Sequence, residues 1–128
     1  MYDSFLIERS DGKLFDIDLI ERQLGKDLSV AKAPKPDVIE FLFCRSPLHA
    51  DEVTKTLEKN PNVEYPPIGV VILSPERIWV YQETTEDVLQ HIRAFTKWLR
   101  GHADLKFLDC TGKNIIRDES QNLDMLFG

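Results

Sequence analysis

The sequence predicts an α/β domain, bordering on α+β, in which a single mixed β-sheet carries three helices. Three observations lead there. Short apolar runs, alternating or continuous, recur between turn signals, as strands require. Three stretches place apolar residues at helical spacing behind capping residues. The two kinds of segment interleave as strand, helix, strand, helix, strand, strand, helix and then one or two strands. Strand–helix–strand units imply parallel neighbours with helices across the sheet, and the consecutive strand pair adds antiparallel pairing. The 128 residues fit one domain, 1–128, in which 118–128 form a C-terminal tail.

Tyr2–Glu8 reads as the first strand, with Phe5 and Ile7 on one face. Ser10-Asp11-Gly12-Lys13 is a turn signal. Asp18 is placed to cap a short helix, with Glu21 completing a capping box, Ile20 and Leu24 forming its apolar stripe and Gly25 ending it. Asp16 is then a solvated residue. Ala31–Pro36, with two prolines, reads as an extended connection. Val38–Cys44 is nearly all apolar, as in a strand buried on both faces. Ser46 caps the second helix with Pro47 in its first position; Ala50, Val53 and Leu57 make its buried stripe, and Asn60-Pro61-Asn62 stops it. Val70–Leu73 and Ile78–Tyr81 form a hairpin about Ser74-Pro75-Glu76-Arg77. Thr85–Arg100 is the clearest helix: Val88, Ile92, Phe95 and Leu99 share one face, acids open it and bases close it, and Gly101 follows. Leu105–Cys110 is a last central strand, turned by Thr111–Asn114 into Ile115–Arg117.

Composition narrows the function. Sixteen basic and 22 acidic residues give a net charge of −6, against the dense basic surface that nucleic-acid binding needs. An apolar run such as Val70–Leu73 is far short of a membrane span, and the first residues lack the basic start and apolar stretch of a signal peptide. Cys44 and Cys110 are too few for a disulfide scaffold and read as reduced thiols of a cytoplasmic protein. Acidic excess concentrates between residues 37 and 67, where six acids face three bases.

The order of elements over residues 2–100 resembles that of thioredoxin-like folds. In that family a proline just before the third strand is cis and faces the active site; Pro67, after Pro66 and before Ile68, holds the corresponding place. The family's redox cysteines lie at the start of the first helix. The corresponding segment, Ser10–Asp18, holds no cysteine, so the resemblance implies the fold without the redox activity.

Few residues group as chemistry would require. Cys44-Arg45-Ser46-Pro47-Leu48-His49 puts a thiol ahead of a helix N-terminus, where the dipole favours a thiolate, with Arg45 adding positive charge and His49 one turn along as a base. The competing reading is a buried structural cysteine. No metal site is expected, because the histidines and cysteines at 44, 49, 91, 102 and 110 lack ligand spacing; His91 reads as a partly buried histidine with a hydrogen-bond partner. Lys13, Lys26 and Lys113 each follow a glycine, but none is followed by Ser or Thr, and no Gly-x-Ser-x-Gly elbow is present. No cofactor is expected.

These observations favour a non-catalytic cytoplasmic protein-binding module of inhibitor, immunity-protein or adaptor type. A small acidic domain without a catalytic constellation is similar to toxin-neutralising immunity proteins in composition and size. Its partner-binding residues are Asp51, Glu52, Glu58, Glu64, Trp79, Tyr81 and Glu83: acids to steer a basic protein partner and aromatic residues to anchor it. Two alternatives stay open. One is a thiol-dependent enzyme using Cys44, with Arg45 and His49 in support. The other is a homo-oligomeric structural subunit that pairs through a sheet edge or through the apolar tail residues Leu123–Phe127.

Overall fold

The computed structural model describes residues 3–63, 68–82 and 85–116. Along the chain lie β1 (Ser4–Arg9), α1 (Ile17–Leu24), β2 (Val30–Lys32), β3 (Ile39–Phe43), α2 (Pro47–Lys59), β4 (Gly69–Leu73), β5 (Ile78–Tyr81), α3 (Glu86–Arg100), β6 (Leu105–Leu108) and β7 (Asn114–Ile116). The strands make one seven-stranded sheet in the order β2-β3-β4-β5-β1-β6-β7. Every ladder is antiparallel, and the domain belongs to the mixed α+β class.

The parallel neighbours expected from the strand–helix–strand units do not form. β5 and β6, joined by α3, do run the same way, but β1 lies between them and pairs antiparallel with both. β1 and β2, joined by α1, also run the same way but have three strands between them. The β3–α2–β4 connection returns antiparallel to an adjacent strand. The additional strand β2 between α1 and β3 and the antiparallel pairing throughout give the thioredoxin-like topology no support. Pro66 and Pro67 lie outside the described residues.

Local signals explain most boundaries. Ser46 caps α2 through its side chain, which accepts from the His49 N–H at 3.1 Å, with Pro47 in the first turn. Asn60 ends the helix. The β4–β5 hairpin closes through Ser74, whose N–H and hydroxyl both donate to the Arg77 carbonyl, at 3.0 and 2.7 Å. The cap of α1 is a correction: Asp16, not Asp18, accepts the helix N–H, from Leu19 at 3.2 Å, and Asp18 sits in the first turn. Moving the cap back two residues brings Ile17 into the helix, packed against the core.

Val30–Lys32, expected as part of a connection, is a short edge strand on β3. An edge strand needs ladder bonds on one side only, and Pro34 and Pro36 lie just beyond it, where no ladder N–H is required. β6 stops at Leu108 rather than Cys110 because Asp109 turns the chain. Its carboxylate accepts from the Thr111 N–H (2.9 Å), the Thr111 hydroxyl (2.6 Å) and the Lys113 N–H (3.0 Å), while Gly112 supplies φ +85. These donors hold the Asp109 carboxyl below the usual range, the Thr111 hydroxyl most of all.

The two faces of the sheet carry separate cores. On one face Phe5, Ile7, Phe41, Phe43, Val71, Leu73, Ile78, Val80 and Phe107 pack beneath Ile20 and Leu24 of α1 and Val88, Ile92, Phe95 and Leu99 of α3. At Gly69 a Cβ would lie 2.6 Å from Ile92 Cδ1, so α3 crosses β4 at a distance that only glycine accommodates without rearrangement. On the opposite face Ala50, Val53 and Leu57 of α2 pack on Ala31, Leu42, Cys44 and Ile68. Phe41 and Phe43 thus point to one core and Leu42 and Cys44 to the other, which is why this strand reads as a continuous apolar run.

The cap assignment is open to test by urea denaturation. Asp16→Ala is expected to cost about 1 kcal/mol. Asp18→Ala, which loses only a favourable dipole contact, should cost no more than a few tenths. An equal loss from both would contradict the assignment.

Candidate functional site

α2 covers only one part of its face of the sheet. Its core takes in residues of β2 and β3 together with Ile68, and Val70 of β4 packs at its border. Past Val70 the ladders carry a row of side chains across the same face. Glu40, Ile72, Trp79, Leu6, Leu108 and Asn114 are successive Cα partners on β3, β4, β5, β1, β6 and β7. The next row runs Leu42, Val70, Tyr81, Ser4. Leu6, Ile72 and Trp79 belong to neither core formed by the described residues, and all three are only half-buried. Trp79 and Tyr81, two apart on β5, share this face and stack with centroids 6.0 Å apart and planes at 25°. Tyr81 is 36% exposed. The result is an apolar, aromatic strip beside α2 that no described helix covers.

The acids Asp51, Glu52 and Glu58 lie on α2, exposed, so they stand on the same side of the sheet as the strip. Asp51 pairs with Lys55 at 3.0 Å across one helical turn, both side chains well solvated, a pair of small energetic weight. Sequence reasoning therefore named five residues that the fold gathers on one side. Two others, Glu64 and Glu83, lie outside the described residues, as does the segment from residue 117 onward. Sequence reasoning missed Leu6, Ile72 and Leu108. The signal was present: Phe5-Leu6-Ile7 and Val70–Leu73 are apolar at both strand parities, so each must place apolar groups on both faces.

The Cys44 group has the surroundings of a structural cysteine. Cys44 is 0% exposed beneath α2, and its Sγ donates to the Leu42 carbonyl at 3.7 Å. Burial pushes the thiol up to about 11 from its ordinary value of 9.0. A thiol so buried and so weakly acidic is neutral near pH 7, the opposite of an activated nucleophile. His49 is turned to the backbone, its Nδ1 accepting from the Arg45 N–H at 3.1 Å. Cys110 is exposed, with its Sγ 2.8 Å from Ser4 Oγ.

Other polar and aromatic groups among the described residues hold the fold. His91 Nδ1 lies 2.6 Å from Asp27 Oδ2, tying α3 to the loop after α1. Trp98 packs on the first core and is flanked by Phe95 and His102, at 6.4 and 4.3 Å. A shallow, open groove runs along Lys32, Ala33, Pro34, Lys35 and Pro36, but both lysine amines are paired, with Glu21 and Glu40, each at 2.9 Å. Among the described residues no group of three His, Cys, Asp or Glu is placed to hold a metal ion. None of the described helices is long and apolar enough to cross a membrane. Comparison with protein-family models, with curated proteins and with solved structures finds no significant match.

Two predictions follow from the cysteine environments. In the native protein a thiol reagent should modify Cys110 and spare Cys44, so that Cys110→Ser abolishes native labelling and unfolding restores one reactive thiol; rapid native modification of Cys44 would contradict its burial. The raised Cys44 value also makes stability fall with rising pH. The folded protein holds the thiol proton more tightly than the unfolded chain, so the contribution is complete below about 9 and is lost as pH climbs towards 11. Denaturation midpoints across that window should fall less steeply in Cys44→Ala than in the parent.

Proposed function

We propose that the protein is a non-catalytic protein-binding module of inhibitor or adaptor type. Its partner-facing surface is the strip Leu6, Ile72, Trp79 and Tyr81 together with the acidic outer side of α2. The observation that carries this reading is the stacked Trp79–Tyr81 pair on a part of the sheet that α2 leaves bare. Aromatic residues held rigid by a sheet lose little side-chain entropy on binding, and they supply the large apolar contacts that dominate interface energetics. The exposed acids Asp51, Glu52 and Glu58 favour a basic partner by speeding encounter, while the aromatic residues govern how long the complex lasts. The raised pKa and burial of Cys44 weigh against the thiol-dependent alternative. A cytoplasmic setting, where unpaired thiols persist, accords with two free cysteines.

Affinity capture from the source cells, followed by binding measurements on the partner recovered, tests the proposal. Trp79→Ala is expected to weaken the complex by about 2 kcal/mol, mainly through faster dissociation. Reversing Asp51, Glu52 and Glu58 to lysine should slow association and reduce its salt dependence. Absence of any stoichiometric partner at both low and moderate salt, or a complex indifferent to both sets of changes, would refute it.

A further inference from the structure

The strip lies over interior strands, and that restricts what can dock on it. β4, β5 and β1 each pair on both sides, so their backbone N–H and C=O groups are taken up by the ladders. An extended segment binds a sheet by adding to its edge, where backbone groups remain open. Laid on the face it would bury its own N–H and C=O groups without partners. An element that covers the strip must therefore satisfy its backbone internally, as a helix does. The space beside α2 also has a helix's width. α2 packs over β2 and β3, with Val70 of β4 at its border. Packed helices stand about 8–10 Å apart, roughly two strand spacings, which puts a neighbour of α2 over β4 and β5. Those strands carry Ile72, Trp79 and Tyr81. The opposite face of the same sheet already carries two helices, α1 and α3. A second sheet would lie about 10 Å above the strip and run into α2, which rises as far from the same face.

Charge sets the direction of that helix. Beyond Trp79 and Leu6 along the strands, the next row on this face is Arg77, Glu8 and Lys106. Arg77 lies 3.5 Å from Glu8 with its side chain 57% exposed, and Lys106 is exposed, so two bases stand around one acid. The row on the other side, with Tyr81 and Ser4, carries no charge. A helix C-terminus bears partial negative charge and open carbonyls, which arginine and lysine side chains satisfy. The flank towards α2 meets its exposed acids. We propose that the partner lays one amphipathic α-helix beside α2, its apolar stripe on Ile72, Trp79, Tyr81 and Leu6, its basic side towards α2 and its C-terminal carbonyls over Arg77 and Lys106. This rests on the reading of the strip as a binding surface and names the element that it takes.

Panning a library of linear peptides of about 16 residues on the immobilised full chain, with the Trp79→Ala protein as counter-selection, supplies ligands for the strip. Peptides that depend on Trp79 are expected to carry apolar residues at i, i+3, i+4 and i+7 with lysine or arginine alongside, and to gain helical circular dichroism on binding. Lys106→Glu, a change at an exposed position, should weaken each by about fivefold, and a lysine placed in the last turn of the peptide should recover the loss. Trp79-dependent peptides with alternating apolar residues, without a gain of helix, or indifferent to Lys106→Glu would overturn the helix and leave the strip as a binding surface. Recovery of no Trp79-dependent peptide would remove both readings. A dimer of the free protein in sedimentation, dissolved by Trp79→Ala, would give the strip to a second copy and overturn the proposal.

Discussion

The fold depends on β1 lying between β5 and β6. As an interior strand it satisfies its backbone polar groups on both sides, and Phe5 and Ile7 reach 0% exposure beneath the helices. Its insertion turns a helix crossover, which by itself would bring β5 and β6 side by side, into an antiparallel sheet continuous across seven strands. It also sets the register on both faces. Because side chains alternate, aligning Phe5 with Val80 and Ile7 with Phe107 in the helical core forces Leu6 to align with Trp79 and Leu108 on the other side.

A seven-stranded sheet has two faces to cover, and three helices divide that work unevenly. α1 and α3 share one face, where every large apolar group finds a partner. α2 works alone on the other and covers the β2–β3 end. The remainder that no described helix covers is not the polar surface that an antiparallel sheet usually turns to water; it carries Leu6, Ile72 and Trp79, each half-buried. Contiguous apolar surface of this kind is costly to leave in water and marks a place where something packs. The stacked Trp79–Tyr81 pair beside the acidic helix lies on this part of the sheet.

Several polar groups among the described residues hold the fold together. Asp16, Ser46 and Asp109 organise helix starts and a turn, and His91 joins α3 to the loop after α1. The pairs Lys32–Glu21 and Lys35–Glu40 flank β2 and the segment after it. The buried thiol of Cys44 is one more apolar contact under α2.

By itself the sequence determined every element whose signal is local. The two long helices, their caps at Ser46 and Gly101, the hairpin about Ser74–Arg77 and the two-faced strand around Phe41–Cys44 follow from spacing, capping chemistry and turn residues that act within a few positions. It also named Trp79, Tyr81 and the acids of α2 as surface candidates, because strand alternation and charge are legible in one dimension. The short edge strand Val30–Lys32 was hidden, since three residues carry no period and owe their conformation to β3. The choice of Asp16 over Asp18 as cap turned on whether Ile17 could reach the core. Only the tertiary structure decided that β1 lies between β5 and β6, that Leu6 and Leu108 share a row with Trp79, and that α2 stops short of them. Those outcomes rest on contacts between residues far apart in the chain, where the free energy of pairing and burial depends on partners that no local pattern specifies.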